Sequence, residues 1–98
     1  MEIVEDGGVR VWTTKRKLRE LKTGDYIYAA SAIFRLGQRT ITFDPDFGHD
    51  IIRFNTKHVC GNYFYVDYLR DTFEAWGHPD SRYDYVGPER VAALTAAA

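Results

Sequence analysis

The spacing of hydrophobic residues changes period along the chain, and those changes mark out its expected elements. Val9, Val11 and Trp12 sit in an alternating stretch that predicts a strand over positions 9–12. The acidic residues before it, which end in Gly7-Gly8, predict a flexible arm over positions 1–8. Leu18 and Leu21, three apart within a run of cations, predict two helical turns over positions 15–21, capped by Thr13 or Thr14. Positions 26–34 are rich in aromatic and β-branched residues, and positions 39–43 and 50–54 resume a strand pattern. Leu36-Gly37-Gln38 and Asp44-Pro45-Asp46-Phe47-Gly48 are the expected reversals between them.

Beyond Gly61-Asn62 the period lengthens to three and four. Tyr65 or Val66, Leu69, Phe73 and Trp76 predict an amphipathic helix that ends at Gly77, although Tyr63-Phe64-Tyr65 could prolong a strand. Positions 78–86 read as a loop. Gly87-Pro88-Glu89 opens a short C-terminal helix, because Pro suits the first helical position and an acid suits the first turn; its alanines fray over 95–98. The expected fold class is α+β, an antiparallel meander of three to five strands between positions 9 and 55 packed against the amphipathic helix, with a small β-barrel as the alternative. Ninety-eight residues make a single domain, 1–98.

Charge adds a polarity that the pattern of apolar residues does not show. From Arg10 to Arg39 eight cations face only Glu20 and Asp25, whereas from Asp44 to Glu89 nine acids face four cations, inside a net charge of -1. Each half attracts molecules of opposite sign. One cysteine forms no internal disulfide, the N-terminal residues show no apolar signal region, and no apolar run reaches the ~20 residues of a membrane span, so a cytoplasmic protein with no membrane association is expected.

The candidate chemistry is thin. His49, His58, Cys60 and His78 are zinc-ligand types, but only His58 and Cys60 have knuckle spacing. Asp44, Asp46, His49 and Asp50 could chelate a hard cation, yet Asp-Pro and Gly are what a turn requires and the twelfth position of a calcium loop is Asn55. Cys60 with His58 lacks an orienting third group, and no phosphate loop or nucleophile elbow is present, so no metal site and no cofactor are expected. The seven Tyr and nine Arg are interface-forming types. Tyr83 and Tyr85, beside Asp80 and Asp84, form the candidate binding patch.

The resulting expectation is a non-catalytic protein-binding regulator or inhibitor, of the kind bacteriophages direct at host machinery, with a protein as its partner. The first alternative is nucleic-acid binding through the basic segment 10–39, with Trp12 to stack on bases and Arg10, Lys15, Arg16, Lys17 and Arg19 to meet phosphates. A small metal-dependent enzyme is the second.

Overall fold

Runs of β-branched and aromatic residues form one antiparallel sheet, seen in a computed structural model that describes residues 2–6, 9–30, 32–61 and 73–97, with side chains for 13–30, 32–59 and 73–92. Its strands are β1 (Glu2–Asp6), β2 (Val9–Lys17), β3 (Tyr26–Ala29), β4 (Ala32–Asp44), β5 (His49–Gly61), β6 (Glu74–Gly77) and β7 (Arg82–Val86). Their order across the sheet is β1-β2-β7-β3-β4-β5-β6. Thus β3 to β6 form a meander, β1 and β2 form a hairpin, and β7 is the splice between the two. Among the described residues one helix, α1 (Pro88–Ala97), is present, and it starts at the proline as expected.

The α+β expectation is corrected. Glu74, Ala75, Trp76 and Gly77 pair with Asn55, Phe54, Arg53 and Ile52, so the end of the proposed amphipathic helix is strand β6. The rest of that helix, Leu69 included, lies outside the described residues. Residues 74–77 have a neighbouring strand as partner, and the ladder decides their conformation. Among the described residues the helix packed on the sheet is α1, whose Val91 packs with Ile33 and Val86 against Tyr26 and Tyr28.

Four local expectations change for the same reason. The arm over 1–8 contains β1, which pairs from Glu2↔Thr13 to Asp6↔Val9. The helix over 15–21 is replaced by the end of β2 and a 3-10 turn, Leu18–Glu20, closed where the Lys17 backbone N–H donates to Glu20 Oε1 at 3.0 Å. Leu18 and Leu21 are nevertheless both buried, because the turn spaces them as a helix would. The loop over 78–86 contains β7, whose Tyr83 and Tyr85 alternate with Asp84 at the strand period. The Leu36-Gly37-Gln38 reversal is instead a bulge within β4, where Gln38 N–H donates to Asn55 Oδ1 at 2.6 Å. A Cβ on Gly37 would collide with that Asn55 side chain. The actual reversal lies between Ala29 and Ala32, which pair directly.

The sheet is rolled. Four strand spacings of ~4.8 Å separate β6 from β7 in a flat sheet, more than the turn-containing link over 78–81 spans. Its inner face gathers Leu18, Leu21, Ile27, Phe34 and Phe54, all fully buried, with Phe73 stacked on Phe34 at a ring separation of 4.5 Å. The roll brings Tyr83 to β6, where its hydroxyl donates to the Trp76 carbonyl at 3.1 Å and lies 3.2 Å from the Trp76 N–H. No strand pairing closes it into the alternative barrel among the described residues, and β1 and β6 remain edges.

Phe34→Ala and Phe54→Ala should each cost about 3–5 kcal/mol, as deleted buried rings do, whereas Phe43→Ala should stay within about 0.5 kcal/mol. Urea denaturation midpoints check this; a Phe43→Ala loss equal to that of Phe34→Ala would contradict the placement of the core.

Candidate functional site

Strand pairing decides which side chains can meet a partner. β2 and β7 run antiparallel with Lys15↔Asp84, Arg16↔Tyr83 and Lys17↔Arg82 in register. Directly opposed residues share a face, so the basic cluster is divided: Lys15 and Lys17 point one way and Arg16 the other. Lys15 Nζ lies 2.6 Å from Asp84 Oδ1, a charge contact without hydrogen-bond alignment. Arg16 places its guanidinium 3.8 Å from the centroid of the Tyr85 ring. Arg19 donates to Asp80 Oδ1, and Lys17 Nζ stands 3.7 Å from the same oxygen.

The proposed binding patch and the proposed phosphate-binding cluster are therefore two sides of one seam. Asp80 and Asp84 hold cations of the basic segment, Tyr85 is half-buried beneath Arg16, and Tyr83 is half-buried with its hydroxyl on Trp76. The side chains of Arg10 and Trp12 lie outside the described residues. At Asp80, desolvation raises the carboxyl pKa, but the charges of Arg19 and Lys17, the Arg19 hydrogen bond and the His78 charge together hold it below its ordinary value.

The acidic turn serves the backbone. Asp44 Oδ1 accepts from Asp46 N–H at 2.9 Å and Phe47 N–H at 3.4 Å, while Gly48 N–H donates to the Asp44 carbonyl at 2.8 Å. Gly48 has φ +74°, which suits glycine there. His49 Nδ1 sits 2.8 Å from the Asp50 carbonyl, and its ring meets His78 edge-on at 4.4 Å. No three His, Cys, Asp or Glu converge as a metal site among the described residues. His58 packs edge-on against Phe34, 5.8 Å away; the Cys60 side chain lies outside those described.

The surface that pattern reading missed is the distal half of the β4–β5 hairpin. β3 pairs with β4 only over Ala32 to Arg35, and β6 pairs with β5 only over Ile52 to Asn55, so beyond these points the hairpin is a two-stranded ribbon. The exposed large hydrophobics are Ile41 (54% exposed), Phe43 (60%) and Phe47 (63%) on this arm and Trp76 (50%) at its base. An open cleft of about 340 Å³ lies between Phe43 and Trp76, lined by Thr40, Thr42, Ile51 and Arg53 and rimmed by the Asp44–Asp46 turn. Alternation within the strands was legible in the sequence, but how far they outrun the neighbouring strands was not. The available signal was strand length: thirteen residues exceed the five or six usual in a small sheet.

Comparison with family models, curated proteins and solved structures gave no match. No helix among the described residues is long and apolar enough to cross a membrane.

The Asp80 cluster makes stability depend on pH in a defined direction. A carboxyl with a lowered folded pKa stabilises above the unfolded value of ~3.9 and ceases to do so as pH falls through the folded value. Asp80→Asn should therefore lower the melting temperature at neutral pH, and the difference from wild type should shrink as pH drops below that range. It should shrink with added salt as well. A difference that is constant from neutral to strongly acidic pH would contradict the ion-pair account.

Proposed function

We propose that this chain is a non-catalytic protein-binding module that regulates or inhibits its partner by occupying part of its surface, and that the contact element is the β4–β5 arm with Trp76 at its base. One observation supports this reading: the large exposed hydrophobics among the described residues collect on this one projection. Single exposed apolar residues are ordinary, but several on one projection, Ile41 and Phe43 on one face of the ribbon and Trp76 on the other, offer a partner more than scattered ones do. Phe and Trp are also enriched at interface centres. The arm has little else to stabilise it, since an isolated two-stranded ribbon is marginal in water.

The basic segment offers less to a nucleic acid than its sequence suggests. Lys15, Lys17 and Arg19 lie beside Asp84 and Asp80, and these acids offset the field that would attract phosphates.

The test is a photo-crosslinking residue at position 47, used to identify the partner, followed by calorimetric titration of that partner. Phe47→Ser and Trp76→Ala should each weaken binding by about 2 kcal/mol or more with the circular-dichroism spectrum preserved. Lys15→Gln should have little effect. Equal affinity of all three variants would remove the arm from the interface.

A further inference from the structure

We propose that the open edge of β4 pairs with the same edge of a second copy of this chain, joining two sheets across a two-fold axis at Ile41. This rests on the reading of the arm as a protein-contacting surface and names one partner for it.

The edge is open by construction. After Arg35 no described strand lies beside β4 on the side away from β5, and Thr23, Gly24 and Asp25 reach only as far as Leu36 and Gly37. Every residue from Gln38 to Phe43 is exposed. Such an edge presents free backbone donors and acceptors, and proteins usually protect one with Pro, a bulge or charge. Here the bulge stands at the base, Pro45 lies beyond the strand end, and the only charged side chain between Gln38 and Phe43 is Arg39. The stretch is rich in β-branched and aromatic residues, as pairing strands are.

The side chains are self-complementary. A two-fold axis perpendicular to the sheet requires each residue to oppose one on the same face, which restricts the symmetric registers. Centred on Ile41, the pairing sets Ile41 against its own copy, Thr40 against Thr42, and Arg39 against Phe43, each of the last two occurring twice. Apolar meets apolar, hydroxyl meets hydroxyl, and the lone cation meets an aromatic ring. No two like charges oppose one another, since Asp44 falls opposite Gln38.

The two faces make the pairing useful as well as permitted. Ile41 opposes Ile52, and Arg39 opposes Phe54, so Ile41 and Phe43 continue the core face outward past the point where the core ends. A second arm would set a lateral neighbour against each of them on that face. Phe47 and Trp76 stay outside that contact, so another protein bound through them is compatible with the dimer.

Sedimentation equilibrium tests this. The wild-type chain should sediment at twice its 11.3 kDa mass at high concentration. Ile41→Lys, which sets two ammonium groups face to face on the axis, should sediment as a monomer. A cysteine scan fixes the register should Ile41→Lys fold poorly. In a Cys60→Ser background, Ile41→Cys should cross-link to a covalent dimer on mild oxidation and Phe47→Cys should not. A wild-type chain that stays monomeric to about 1 mM would overturn the pairing. Cross-linking through position 47 in preference to 41 would overturn it too. Loss of partner binding on Phe47→Ser in a monomeric wild type would leave the protein-binding reading standing and remove only the self-pairing.

Discussion

The link between Gly77 and Arg82 is too short to cross an unrolled sheet, and the rest of the structure follows from that constraint. β6 closes one side of the meander, yet the next strand, β7, lies four places away between β2 and β3. The sheet must curl for the chain to make that connection. Curling creates the inner face on which Leu18, Leu21, Ile27, Phe34 and Phe54 are fully buried, so a small chain encloses a core with a single sheet. The Tyr83 hydroxyl on the Trp76 backbone and the backbone bonds from Leu18 to Ser81 and from Arg19 to Pro79 hold the rolled ends together.

The same insertion settles the charge asymmetry. The basic residues of β2 and its following turn and the acidic residues of β7 and its preceding turn are 61 to 69 positions apart, and strand pairing makes them neighbours. Individually such partly exposed pairs contribute little, on the order of 0–1 kcal/mol. Their larger effect is on surface potential, because carboxylates that hold Lys15, Lys17 and Arg19 offset both the positive and the negative field. The apolar side chains of the β4–β5 arm stay exposed beside this balanced charge.

The legible parts of the fold were those set by local chemistry. The Asp44–Gly48 turn was readable because Asp side-chain acceptors, Pro and a left-handed glycine act within a few residues, and Pro88 marked the start of α1 by the same local logic. Non-local pairing was not readable. Positions 74–77 carry a pattern that fits a helix, and only the neighbouring β5 makes them a strand. Tyr83 and Tyr85 stand out in the sequence as interface-forming types beside Asp80 and Asp84, but the Tyr83 hydroxyl on Trp76 and the Arg16 guanidinium over the Tyr85 ring were not legible there. For Ile41 and Phe43 the strand alternation was legible and their exposure was not, since the strands outrun the sheet that would cover them.

The most direct test of this account is a double-mutant cycle at Lys15 and Asp84, which are paired in register and in contact only if β7 lies beside β2. Lys15→Asp and Asp84→Lys each set like charges opposite one another and should each lower stability. The double swap, Lys15→Asp with Asp84→Lys, should recover most of the loss, with a favourable coupling of about 0.5–1 kcal/mol by urea denaturation at low salt. Strictly additive losses, with no coupling, would contradict the insertion of β7 next to β2 and with it the rolled sheet.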